Sequence, residues 1–548
     1  MTTTAAATAA SVRFTQRPDR SLVLGLSATR AITLASCVLA IAAATVTSGM
    51  TAGLITAIGI SPVAGSALLM VEGRALIEWT PDAARYMWRG ANGRLQVLAK
   101  PDRPTPVGVL PIPGNAFQLC VLETVDGTAI LRDKTADTWT AIAAVTGNGF
   151  VFANPETQDA ACAGLGRALA AIGSSGQITH IHITHRTRPD TIETDSAADD
   201  STSALREVPR VVDCRDASRQ SAPQPDGLPH ASSQARDPHN HRSQEDRPPA
   251  AAVIYRQTLH EHASSWRHET LVAITLGGKA GRAAIHRAGG GKTAAVHVLA
   301  AHQESLTDTL AAADATVETR LTPADLTDWI AAGYDPASIP VIDRLHDGNA
   351  AEPPDDEAPP AGSAYSGLHA GPMAIAETWS TVRSDSAWHQ VLWISNWPRF
   401  DTHPAFLAPL LLPAGATITV SLIFEPIPTP LALRQIGREK VAQASDAALR
   451  RRLGTLDTAE QAARAADTAK READLAAGHL DMRHTALVAI TSPDRAKLTD
   501  ATTRIRQAAA AAGCDTRILY GQQLAALNAT ILPAGCRLCG DWPHRGGR

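Results

Sequence analysis

The stretch 31–71, AITLASCVLAIAAATVTSGMTAGLITAIGISPVAGSALLMV, carries no Asp, Glu, Lys or Arg. A bilayer's hydrocarbon core is about 30 Å thick and takes roughly 20 apolar residues per helix, so the stretch is two spans long. Thr47-Ser48-Gly49 forms a polar, glycine-containing break near its middle. Backbone in lipid must satisfy its own hydrogen bonds, so two helices joined by a tight turn are expected, near 31–46 and 51–71. Cations flank the stretch and spare the turn: Arg13, Arg17, Arg20 and Arg30 precede it, and Arg74, Arg85 and Arg89 follow. The positive-inside rule then places the leader 1–30 and everything after 71 in the cytoplasm. A cleaved signal peptide ending near Ala42-Ala43-Ala44 is the competing reading. The long polar leader and the second uncharged span, with cations beyond it, count against that. A buried soluble hairpin would carry a polar face, which this stretch lacks.

With 548 residues the chain is long enough for several cores. A net charge of -4 without a basic stripe argues against nucleic-acid binding, which needs clustered cations against phosphate. Seven cysteines, scattered except for Cys536 and Cys539, form no disulfide framework and fit a reducing compartment. Aromatics make up only 4% of the residues, so the cores must be built from Ala, Leu, Val and Ile around a few tryptophans.

Beyond the hairpin the pattern is α+β. In a domain spanning 72–188, a Pro-rich, cation-bearing stretch is followed by alternating segments that predict strands over 117–123, 128–133 and 139–145. Asn154-Pro155-Glu156 predicts a capped helix running to about Ile172, with a strand over 177–185 after it. Residues 189–249 are polar, Pro-rich and without apolar periodicity, the composition of a disordered insertion. A segment over 250–346 predicts a helix at 251–265, a strand at 270–276 and a helix at 293–313, before an acidic Pro-rich linker at 347–362. A β-rich segment, 363–430, predicts paired strands at 374–382 and 388–394, a short helix at 404–411 and a strand at 417–424. Residues 431–480 read as a helical hairpin broken at Gly454-Thr455, or as one long solvated helix. The α+β segment 481–535 predicts strand 485–490, helix 493–512, strand 515–520 and helix 522–528, before a flexible tail at 536–548.

Candidate chemistry is sparse. Gly289-Gly290-Gly291-Lys292-Thr293 looks like the end of a phosphate-binding loop, but the nucleotide cradle needs Gly-x-x-x-x-Gly-Lys-Thr, and His286 stands where its first glycine belongs. The residues before it, 282–286, read as helix rather than as the required buried strand. His180 and His182 share one face of a strand, with His185 nearby, yet show no further metal ligands. Cys536 and Cys539 have half a zinc site's spacing without a second pair, and His544 lies in the basic tail. Trp379, Trp388, Trp393 and Trp397 are read as core or interface packing. No catalytic, cofactor or metal residues are assigned.

The order of parts resembles a known one. Arg13 through Leu22-Val23-Leu24-Gly25-Leu26-Ser27, two short apolar spans and Glu78-Trp79 resemble the PrgI-like membrane hairpin of conjugative and type IV secretion loci. Trp388-His389-Gln390 through Trp397-Pro398, Phe406-Leu407-Ala408-Pro409-Leu410-Leu411, the helical hairpin and Tyr520-Gly521-Gln522-Gln523 before Leu532-Pro533 look like the amino-terminal region of a TraC/TrbE-type secretion ATPase. The whole is similar to actinobacterial conjugation-associated membrane proteins that join the two pieces.

The chain stops shortly after Leu532-Pro533, where the motor domain of such an ATPase would begin, so the resemblance implies no nucleotide hydrolysis. It implies ferredoxin-like α+β modules with a helical-hairpin insertion. It also implies a non-enzymatic, oligomeric scaffold in the cytoplasmic membrane that docks a separate ATPase or inner-membrane channel subunits, without direct nucleic-acid binding. Two alternatives stand beside it: a two-span subunit of a type VII secretion core complex, and a nucleotide hydrolase using Lys292 and Thr293.

Overall fold

The computed structural model describes residues 21–23, 26–72, 74–99, 108–114, 119–147, 153–189, 266–340, 342, 371–398, 400, 402–412, 415–454 and 458–533. Residues 1–188 with 267–548 make one compact unit; the second, 189–266, falls almost wholly outside the described residues. The insertion predicted at 189–249, apart from Pro189, the helix predicted at 251–265, the linker at 347–362, and Cys536, Cys539 and His544 also lie outside them.

After two short paired strands, Ser21–Val23 and Leu26–Ser27, come two apolar helices, α1 (Ala28–Ser48) and α2 (Met50–Leu68). At about 1.5 Å per residue they are about 31 and 28 Å long, close to the thickness of a bilayer core. Gly49, at φ 83°, makes the turn in a conformation that costs glycine little. The helices fold back on each other, so that Arg30 Nε donates to the Ala67 carbonyl oxygen at 2.9 Å. Their contact face is narrow, with Cys37, Gly53 and Ala67 buried, while Val38, Leu39, Val46, Leu54, Ile55 and Ile58 are exposed around it. By length and composition both helices are candidate membrane spans.

Helix α3 (Leu76–Ala91) leads into a 13-stranded sheet. Its strands are β1 (Gln96–Leu98), β2 (Leu119–Glu123), β3 (Ala129–Asp133), β4 (Thr138–Gly147), β5 (Ile178–Pro189), β6 (Trp266–Leu276) and β7 (Ala315–Arg320). They continue with β8 (Ala374–Glu377), β9 (Val382–Ser384), β10 (Ala387–Asn396), β11 (Thr417–Ile427), β12 (Asp481–Ser492) and β13 (Asp515–Ile518). Hydrogen-bonded neighbours run β1-β8-β9-β10-β12-β11-β5-β6-β4-β3-β2, with β7 on β4 and β13 on β10. The helices are α4 (Pro155–Ser174), α5 (Gly278–Arg287), α6 (Gly291–Ala311), α7 (Pro323–Tyr334), α8 (Ala408–Leu411), α9 (Thr429–Leu453), α10 (Ala459–Ala476), α11 (Arg495–Ala511) and α12 (Gln523–Ile531).

The element order repeats. A three-strand meander opens each half, and the four strands from its last member onward lie in the order fourth, first, third, second: β7-β4-β6-β5 and β13-β10-β12-β11. A helix follows the fourth strand in both halves, α7 in the first and α12 in the second. The halves join where β5 and β11 pair antiparallel, from Thr187 opposite Ile418 to Ile181 opposite Phe424. What reads in sequence as consecutive segments is therefore one sheet, because the pairing partners are far apart along the chain.

Both faces of the sheet are covered, so strands such as β12 are buried along most of their length. Strand alternation sends Ala486, Val488 and Ile490 toward α11, and Leu487 and Ala489 toward α7 and α12. In the first half Val272, Ile274 and Leu276 pack with α4 and α6, and Leu271 and Ala273 with α7. The Asn154 side chain caps α4 by accepting from Thr157 N at 2.8 Å, as the sequence predicts. Helix α7, which the sequence reading passes over, opens on a capping box between Thr322 and Asp325. The predicted strand at 374–382 is instead two short strands around a turn, held where Thr381 N donates to Thr378 Oγ1 at 3.0 Å.

Between β11 and β12 the chain forms two helices rather than one. Gly454 ends α9 at φ 68°, and Thr458 with Gln461 caps α10. The helices run antiparallel, tied by Gln443 to Thr468 at 2.9 Å, Arg471 to Glu439 at 3.1 Å and Lys440 to Glu472. A small apolar foot of Ala432, Ile436 and Leu475 seats them.

Helices α7 and α12 meet at Gly333, where an added Cβ would lie 2.6 Å from Ile531 Cγ2 and 2.8 Å from Arg186 Nη2. Overpacking costs about 1–3 kcal/mol, against the ~1 kcal/mol alanine gains in a helix. Gly333→Ala is therefore expected to destabilise the chain by up to about 2 kcal/mol, read as a lower denaturation midpoint at an unchanged slope. Arg186 itself is fully buried and stacks 3.7 Å above the Trp329 ring, whose Nε1 donates to the Ile531 carbonyl. Burial lowers the Arg186 pKa to about 10, which leaves it a cation near the C-terminal end of α7, where the helix dipole favours positive charge.

Candidate functional site

The site lies where α3 joins the apolar hairpin to the sheet. On α3, Trp79, Asp82, Tyr86 and Arg89 recur at intervals of three and four and so share one face. The Asp82 carboxylate is buried and accepts from Arg74 at 3.4 Å and from Arg85 at 3.5 Å, while the Arg74 guanidinium sits 5.1 Å over the Trp79 ring. Trp79 meets Tyr520 edge-on at 5.4 Å and Tyr86 meets Trp379 edge-on at 5.1 Å. Trp379 and Tyr520 stack at 6.1 Å, which completes a ladder of four rings. The Tyr520 hydroxyl donates to Glu72 Oε1 at 3.4 Å, tying the end of the hairpin segment to the residues after β13.

Arg89 closes the joint. Its Nη1 donates to Glu377 Oε2 at 2.7 Å and its Nη2 to Oε1 at 3.3 Å, and Nη2 also reaches the Gly521 carbonyl. The Glu377 carboxylate is fully buried and accepts from Leu524 N at 3.3 Å, in the first turn of α12. Burial raises its pKa and the Arg89 cation lowers it. Gly521 stands at φ 69° with its amide donating to the Trp379 carbonyl at 2.7 Å, and a Cβ there would fall 2.5 Å from the Trp379 ring. Burial raises the Tyr86 and Tyr520 pKa values, with Glu377 and Glu72 adding to it respectively. The same burial lowers that of Arg517, beside Arg74. A lattice of aromatic stacking and charge-assisted hydrogen bonds of this kind fixes α3 in position.

The residues singled out in sequence fall elsewhere, with one exception. His180 and His182 do share a face of β5, and strand alternation turns His185 to the other. His180 Nε2 is 3.8 Å from Glu425, and His182 Nε2 meets Ser421 and Thr184. His185 Nδ1 lies 2.8 Å from Thr270 Oγ1 and its Nε2 3.2 Å from His268. Residues 282–286 belong to α5, as their sequence predicts, so Lys292 and Thr293 open α6 from a helix-to-helix turn and are exposed. Trp388 packs in the core beside α11 between the Arg383 and Arg495 guanidiniums, and Trp397 packs against Phe406 and His484. Trp393 lines the core under α7 and α12.

Trp379 is the exception: it meets Tyr520 and Gly521, landmarks quoted for the resemblance, and Tyr520 in turn meets Trp79, a landmark from the opposite end of the chain. Sequence reasoning missed Tyr86 and Glu377, and read Arg89 only as a cation flanking the hairpin. The one-sided spacing of α3 is the signal that could have found Tyr86 and Arg89; nothing local marks Glu377. Set against family models and against curated proteins, the chain matches none.

Proposed function

We propose that this protein is a non-enzymatic, membrane-anchored scaffold subunit of a type IV-like secretion or conjugation apparatus. In this reading α1 and α2 span the cytoplasmic membrane with both termini inside. The two halves of the sheet are ferredoxin-like modules, and α9 with α10 is a helical-hairpin insertion offering a contact surface to a separate ATPase or to channel subunits. The observation that carries it is the α3 joint: a fully buried Glu377 held bidentately by Arg89 and a four-ring ladder couple an apolar hairpin stiffly to a large sheet. Rigid coupling of an anchor to a docking surface is what a platform requires and what a free-standing enzyme on a tether does not.

Purification in mild detergent from cells expressing the neighbouring secretion or conjugation genes tests it. Co-purification of the ATPase or channel subunits, and loss of transfer on deletion of the gene, are expected. A chain that runs alone, with transfer intact in the deletion strain, would overturn the proposal. Because Lys292 is exposed and only begins α6, Lys292→Ala is expected to leave stability within about 0.5 kcal/mol of wild type. It should also leave nucleotide binding at its wild-type level, as read by calorimetry with ATP and magnesium. Loss of a measurable ATP affinity on that substitution would favour the hydrolase reading instead.

A further inference from the structure

We infer that α3 lies in the membrane surface and inserts its outward face, with Met87 and Trp88 foremost, at the boundary between lipid headgroups and acyl chains. The inference rests on the reading of α1 and α2 as membrane spans and extends it to a helix that does not cross. The face of α3 opposite Trp79, Asp82, Tyr86 and Arg89 carries Leu76, Thr80, Ala84, Met87, Trp88 and Ala91, all exposed and none charged. Met87 is 65% exposed and Trp88 58%, high values for large apolar side chains on a helix whose other face is pinned. With 16 residues, α3 presents this stripe along about 24 Å.

The occupant follows from continuity. Leu68, Leu69, Met70 and Val71 are exposed where α2 ends, so apolar surface runs from the second span through the connection into α3. Arg85 is exposed at one margin of the stripe, and Arg94, exposed just beyond its end, stacks 5.1 Å from the Trp88 ring. Tryptophan flanked by arginine suits the headgroup level, where the ring's apolar body and its N–H meet different surroundings and the cation meets phosphate. With its inner face clamped to Glu377 and Gly521, α3 then serves as a washer between bilayer and sheet and sets the height of the sheet above the membrane.

Fluorescence of the full chain in lipid nanodiscs tests this, because α1 and α2 contain no tryptophan and cannot themselves report quenching. Nanodiscs made with dibromo-phosphatidylcholine are expected to quench part of the emission, and Trp88→Phe is expected to lose that quenched part. Met87→Asp, which leaves Trp88 in place, should still insert into nanodiscs and show reduced quenching with a red-shifted emission. Equal quenching in wild type and Trp88→Phe would overturn the inference. So would shielding of Trp88 from aqueous acrylamide without quenching by bromolipid, which would mean that protein covers the stripe. A chain that stays out of nanodiscs altogether would instead sink the membrane reading on which the inference stands.

Discussion

Replacing Arg89 by alanine is expected to destabilise the protein by about 3–5 kcal/mol, the range found when one partner of a buried ion pair is removed. The magnitude follows from Glu377, whose carboxylate is fully buried and would lose two charge-assisted hydrogen bonds, keeping backbone ones from Gln523 and Leu524. Arg89 is the largest influence holding the Glu377 pKa down against burial, ahead of the Leu524 and Gln523 amides, so without it that pKa climbs further. A carboxyl whose folded pKa is raised is penalised in its charged form, so the Arg89→Ala deficit should be larger at pH 8 than at pH 5. Pairing it with Glu377→Gln should recover part of the loss by removing the uncompensated charge. Denaturant unfolding in detergent at the two pH values measures all of this. A deficit below about 1 kcal/mol at pH 8, the ordinary worth of an exposed pair, would mean that the joint is not held as described.

Acidification is expected to cost about 2 kcal/mol for each of His182 and His389 between neutral pH and pH 5. Both rings are fully buried, and burial lowers both pKa values to about 3. A histidine depressed in the fold stays neutral there while the unfolded chain takes up a proton below about pH 6.5. Stability is therefore complete above that pH and falls through the window from 6.5 toward 3, by about 1.4 kcal/mol per unit for each histidine.

The hydrogen bonds at His389 set the tautomer of its neutral ring. Ser384 Oγ donates to the Tyr334 carbonyl, so it accepts from His389 Nε2, and His389 Nδ1, 2.9 Å from Thr491 Oγ1, is left as an acceptor. His389→Gln and His182→Asn should each flatten the dependence of unfolding free energy on pH by close to one proton. Stability that stays level from pH 7 to pH 5 in the wild type would contradict the burial of both rings.

How much of the fold shows in the sequence depends on the distance over which each signal acts. The uncharged run over 31–71, the Asn154-Pro155 cap and the apolar run over 485–490 are local, and helices and strands stand where they point. The capping box at Thr322 is equally local and was passed over, as was the one-sided spacing of α3. The turn inside 374–382 escaped because Thr378 and Thr381 bond each other through groups that suit a strand just as well. Of the α3 joint, Trp79, Trp379, Tyr520 and Gly521 were visible as separate landmarks, but the carboxylate that Arg89 holds lies 288 residues further along the chain.

By itself the sequence determined the apolar hairpin, the mixed α+β character and many of the individual elements, because burial periodicity, capping and the absence of charge act within a few turns or strand residues. Only the tertiary structure decided that β5 and β11 zip two similar halves into one sheet, that Trp79, Tyr86, Trp379 and Tyr520 form a single ladder, and that Arg186, His182 and His389 are sealed from water. Those are properties of pairings between distant segments, and a residue's own neighbours in the chain do not specify which remote strand or helix will cover it.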